Sequence, residues 1–161
     1  MEKKHFKKFS IITGGVQVKV SLDRFSKQFI HAQYGLDSNV MDSMVKFMPK
    51  QAGTFIAETS GKSASVAGSG KVYAAFGEQG RFLYEGKGMV DEKTGSTWSR
   101  HGGKKVLVSQ YSGKTRAKEN LDYSKAAHPD VQKEWFLPAR EKDGKQWIKQ
   151  VKKTAGGGYG R

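Results

Sequence analysis

The sequence predicts an α+β fold. An antiparallel sheet of short strands would pack against one long helix in the N-terminal half and a helical region at the C-terminus, with long loops and flexible termini. Three observations lead there. Phe25, Phe29, Leu36, Val40, Met44 and Phe47 recur at helical spacing. Between Thr54 and Tyr84, short β-like runs alternate with glycine and serine, as in hairpins or a meander. A second helical stripe closes the chain: Val131, Trp135 and Ala139, then Trp147, Ile148 and Val151. A length of 161 residues suits one domain. The expected organisation is a basic flexible arm over 1–10, a single α+β domain over 11–153 with an extended loop at 86–103, and a glycine-rich tail over 154–161.

The elements follow in order. Val16, Val18 and Val20 alternate with Gln17 and Lys19, which predicts a half-buried strand after a Gly14-Gly15 turn. Ser21 can cap the long helix, and Asp23 suits the positive end of its dipole. Pro49 ends the helix and disfavours helical backbone at Met48. Gly35 inside it costs about 1 kcal/mol relative to alanine and marks a bend or a close contact. Met41, Val45 and Met48 widen the apolar arc, and the methionines read as core rather than as an adaptable groove. "TFIAETS", "SASVAG", "KVYAAFG", "RFLYEG" and, further on, "KKVLVSQY" read as strands. The stretch from Gly86 to Gly103 is a long connection, of a kind usually functional or disordered. Pro129 fits a first helical turn. Pro138 predicts a kink or break, and Asp143-Gly144 a joint between two helical pieces.

Composition narrows the chemistry. No cysteine is present, which excludes disulfides, thiolate metal sites and a cysteine nucleophile. No apolar run approaches the roughly 18 residues of a membrane span, and the apolar part of the basic N-terminus is too short for a signal-peptide core. No membrane partner is expected. Net charge is +14, with 14 basic against 6 acidic residues between His101 and Arg161. That points to a polyanionic partner or to a solvated cationic surface. GxxxxGK[ST] is missed twice, around Gly86-Lys87 and Gly70-Lys71, and GxGxxG is absent. No two of His5, His31, His101 and His128 sit at metal-ligand spacing. Glu85, Asp91 and Glu92 could form a glycosidase pair or a metal site, and Asp91 and Glu92 a hydrolase site with His101, but salt bridges to nearby lysines are the simpler reading. No catalytic residue, metal or cofactor is predicted. Lys104, Lys105, Lys114, Arg116 and Lys118, interleaved with Tyr111 and near Trp98, suit nonspecific contact with nucleic acid.

Several segments also occur in a particular order: "LDSNVMDSMVKFMPKQAGTF", "RFLYEGKGMVDEKTGSTWSRHGGKKV" and "LDYSKAAHPDVQKEWFLPAREKDGKQWIKQVKK". Together, over residues 36–153, they resemble the minor capsid proteins of tailed bacteriophages, small head–tail connector or neck proteins. The basic "MEKKHFKKF" arm lies outside the likeness. The resemblance implies a structural virion protein with no catalytic residues. It would form a homo-oligomeric ring around the DNA channel at the head–tail junction, assembled in the host cytoplasm, beside other neck, portal-side or tail proteins. On that reading Arg81–Glu85 is a strand, and residues 87–103 project as an assembly loop. Phe82, Tyr84, Lys87, Met89, Val90, Trp98 and Arg100 would meet a subunit or partner, and the five basic residues from Lys104 to Lys118 would line the channel and touch phage DNA without reading its sequence. The alternative for Trp98 is that it pins the loop to its own domain. The alternative for the whole chain is a nonspecific nucleic-acid-binding protein.

Overall fold

In a computed structural model, the described residues are 9–13, 16–20, 23–51, 53–77, 79–99 and 101–156, with side chains described from 23 onward. The fold is α+β. A hairpin of β1 (Phe9–Thr13) and β2 (Val16–Val20) leads into the long helix α1 (Asp23–Val45). Then come α2 (Thr54–Ala64), the short α3 (Gly80–Glu85), β3 (Met89–Asp91), β4 (Lys105–Leu107), a 3₁₀ turn over Val108–Gln110, and α4 (Phe136–Ala155). The strands form two separate antiparallel pairs. Phe9 opposes Val20 in the first, and Met89 opposes Leu107 in the second. Phe9 and Ser10, expected in the arm, belong to β1, and Thr154 and Ala155, expected in the tail, belong to α4. The Gly14-Gly15 turn, the Ser21 cap and the facing of Val16, Val18 and Val20 lie outside the described residues.

Packing of α1 on α4 makes the core. Val40, Met41, Met44, Phe47 and Met48 are buried against Trp135, Ala139 and Trp147, so the methionines are core residues. The apolar stripe of α1 is not covered evenly, because Phe25 and Phe29 near its start stay about half exposed. Gly35 makes no close contact: a Cβ there would meet nothing within 4 Å. Two indole N–H groups fix the helices in place. Trp135 Nε1 donates to the Ala74 carbonyl at 2.7 Å, and Trp147 Nε1 to Ser43 Oγ at 3.1 Å. Lys46, just past the end of α1, meets Asp143 of α4 at 2.8 Å.

Four sequence expectations are corrected. "TFIAETS" opens α2 instead of a strand, and "SASVAG" is its end and the following turns. Its buried positions are Thr59 and Ser63, four residues apart on one helical face, so the helical signal is carried by hydroxyl residues and not by apolar ones. "KVYAAFG" is extended but joins no ladder. Its backbone satisfies itself on those same hydroxyls: Tyr73 N on Ser63 Oγ at 3.0 Å and Phe76 N on Thr59 Oγ1 at 3.2 Å. "RFLYEG" is α3, stopped by Gly86 at φ 68°, which lets Lys87 N bond back to the Phe82 carbonyl at 2.9 Å. Finally, α4 runs unbroken through Asp143-Gly144. Pro138 is its third residue, where a backbone N–H has no intrahelical partner to lose. Pro129 lies in a turn before the helix, which begins at Phe136.

Candidate assembly surface around the Trp98 loop

Asp91 builds the loop. The residue is wholly buried at the end of β3, and its Oδ1 accepts from Lys93 N, Thr94 N and Thr94 Oγ1 at 3.0, 2.9 and 3.1 Å. Its carbonyl accepts from Gly95 N at 2.9 Å and its own N–H donates to the Ser96 carbonyl at 2.8 Å. Aspartate favours such turns because its short side chain takes up the backbone N–H groups that follow it. Tyr111 lies so close over Gly95 and Gly113 that a Cβ on either would stand 2.6 or 2.7 Å from its ring. Thr115 Oγ1 donates to the Gly95 carbonyl at 2.7 Å. Beyond the turn, Trp98 N donates to Ser96 Oγ, Lys105 Nζ to the Thr97 carbonyl at 2.9 Å, and Ser99 Oγ to the Gly103 carbonyl at 2.8 Å. The backbone is therefore held at Thr97 and Trp98, and Ser99 is tied through its side chain, yet Trp98 is 84% exposed.

The base of the loop is pinned to the strip 118–121. Gly88 N donates to the Glu119 carbonyl at 2.7 Å, Leu121 N to the Gly86 carbonyl at 2.9 Å, and Lys87 bridges Asn120. Gly88 has no room for a side chain, since a Cβ would sit 2.1 Å from the Lys118 carbonyl oxygen. The Tyr123 hydroxyl donates to the Leu83 carbonyl, and burial pushes that phenol up to about 12. Between these pieces lies a pocket of about 320 Å³, walled by Phe82, Leu83, Met89, Ala117 and Leu121, with Lys87, Lys105, Lys118 and Thr97 also in its lining.

The expected site residues divide. Phe82, Lys87, Met89, Lys105 and Lys118 converge on this one pocket, and Trp98 follows its Thr97 wall. Two do not belong. Val90 is wholly buried, because β3 alternates and turns Met89 toward the pocket and Val90 into the body. Tyr84 packs edge-on against Trp135, with ring centres 4.9 Å apart, and its hydroxyl is pushed up by burial first and then by Glu134. The segment 87–103 therefore does not extend freely from the fold. Its first residues are a built-in strand, and Trp98 is its exposed large apolar residue. Arg100 lies outside the described residues. Lys104 is exposed, 4.0 Å from Glu92, and Lys118 pairs with Asp122. Lys114 and Arg116 are exposed with no carboxylate within 4 Å among the described residues. Asp91 is engaged in its turn. Apart from Lys118, the strip 117–123 was missed by sequence reasoning, and its signal was the apolar pair Leu121 and Tyr123 around Asp122.

A larger groove, about 820 Å³, lies between the first half of α1 and the end of α4, lined by His31, Tyr34, Gly35, Leu36 and Val151 among others. It carries no cluster of charged groups. Among the described residues no group of His, Asp or Glu is placed to hold a metal ion, and no helix is long and apolar enough to cross a membrane. Comparison with protein-family models, curated proteins and solved structures finds no match.

Proposed function

We propose that the chain is an assembly protein, a structural component of the virion neck of a tailed bacteriophage. It forms a ring between portal and tail and docks its neighbours through the Trp98 surface. The observation that carries the assembly role is Trp98, 84% exposed on a loop whose backbone is hydrogen-bonded at Thr97 and at Trp98 itself. Ordering a loop before contact removes an entropic cost from binding, and a rigid exposed tryptophan is the kind of residue that dominates interfaces. The ordered resemblance over residues 36–153 supplies the place, and the net charge of +14 suits a channel that DNA traverses with weak, sequence-blind contact. The role requires no bond-making step. Light scattering of the purified chain, coupled to size exclusion, tests it. A closed homo-oligomer that Trp98→Ala weakens is the expected result, and a strict monomer at high concentration contradicts it.

A nonspecific nucleic-acid-binding role is favoured by one observation, the unpaired exposed Lys114 and Arg116. A salt series separates the two readings. A dedicated binder holds submicromolar affinity with a steep salt slope, whereas a channel lining binds weakly throughout.

A further inference from the structure

The pocket beside Trp98 has a chemistry that the exposed indole alone does not suggest. Its walls are apolar, while among the described lining residues three are lysines and one, Asp122, is a carboxylate already paired with Lys118. Lys105 spends its ammonium on the Thr97 carbonyl. Lys87 is half-buried in the pocket, with no carboxylate within 4 Å among the described residues. A lysine beside apolar walls can lay its stem along them and offer its ammonium to an incoming anion. The walls ask for an apolar group at the same time, and about 320 Å³ is at the small end of ligand pockets, room for one large side chain.

We propose that this pocket takes an acidic peptide segment of a neighbouring protein. One large apolar side chain is seated on Phe82, Met89 and Leu121, and carboxylates face Lys87, Lys105 and Lys118. The inference rests on the reading of this surface as a docking face and names the chemistry of what docks. A second copy of the chain is disfavoured as the occupant, because two bodies of charge +14 repel where their basic faces meet. The ring contact is left to the Trp98 indole, which does not line the pocket.

Fluorescence anisotropy on the full chain tests this. The probes are a short labelled peptide of aspartates and glycines around a single leucine, the same peptide with serine for leucine, the same with lysines for aspartates, and a labelled oligodeoxythymidylate. The leucine–aspartate peptide is expected to bind at least tenfold tighter than either peptide control. Lys87→Ala and Leu121→Ser should each weaken it at least tenfold, while Lys114→Ala, outside the pocket, changes it less than twofold. Circular dichroism confirms that each variant is folded, and if Leu121→Ser is not, Lys87→Ala alone decides. Equal binding of the leucine and serine peptides overturns the proposal, as does indifference to Lys87→Ala. Tighter binding of the oligonucleotide that Lys87→Ala abolishes also overturns it, in favour of nucleic acid. Peptide binding by a chain that stays monomeric would leave the pocket assignment standing and remove the ring. A ring that ignores the peptide would do the reverse.

Discussion

Two tryptophans divide the labour of this chain, and replacing each separately shows it. Trp135 is wholly buried, donates its indole N–H to the half-buried Ala74 carbonyl at 2.7 Å, and is met edge-on by Tyr84 and Phe55 at 4.9 and 5.9 Å. Trp135→Phe keeps an aromatic ring but removes the donor. The orphaned carbonyl costs roughly 1–3 kcal/mol, and the void left by the smaller ring adds on the order of 1 kcal/mol. For a chain of this length that total corresponds to a fall in melting temperature of roughly 5–15 °C. Trp98 is 84% exposed and its ring has little to lose. Trp98→Ala should therefore change stability by no more than about 0.5 kcal/mol. Thermal melts by circular dichroism, on wild type and both variants, give the comparison. A Trp98→Ala loss as large as that of Trp135→Phe would refute the reasoning, since the exposed indole would then be holding the body together and not offered to a partner.

Other consequences are read by similar means. Gly35→Ala should raise stability by up to about 1 kcal/mol, because its Cβ meets nothing within 4 Å, whereas Gly88→Ala should unfold the loop base, its Cβ lying 2.1 Å from the Lys118 oxygen; chemical denaturation measures both. Lys46 holds the Asp143 carboxyl below its usual range, with help from Ser43. That stabilisation is present above a pH of about 4 and lost as pH falls through the lowered value. Both groups are partly exposed, so the loss stays under about 1 kcal/mol, and Asp143→Asn should flatten that part of the acid melting curve. Tyr123, pushed up to about 12 by burial, favours its neutral form in the fold. Its contribution is complete below a pH of about 10 and disappears as pH rises toward the folded value. Phenolate absorbance should show a late-titrating tyrosine that Tyr123→Phe removes.

The long helix α1 was legible because its stripe repeats over many turns, and so was the buried set Val131, Trp135 and Ala139. The errors lie where the periodic signal is short or polar. In α2 the buried face is Thr59 and Ser63, and the adjacent Phe55 and Ile56 fit a strand equally well by eye. In α3 six residues are too few to show a period. Pro138 and Gly144 are disruptive residues in the abstract, yet one sits in the first turn and the other in a helix held by Trp147 and Lys46 on either side. At the site, the types Phe82, Lys87, Met89 and Trp98 were readable. The pairing of 86–88 with 119–121 was not, because it is made by backbone groups some 30 residues apart that leave no local pattern. Val90 was misassigned because a stretch read as a loop was not given the alternation of a strand.

Electron microscopy of virions purified from cells that express this chain tests the proposed neck role most directly. Density for a ring of these subunits at the head–tail junction, with the Trp98 loop covered by a neighbour, is the predicted result. Particles whose junction holds no density for the chain, or a ring in which the Trp98 loop stands in open solvent, would contradict it.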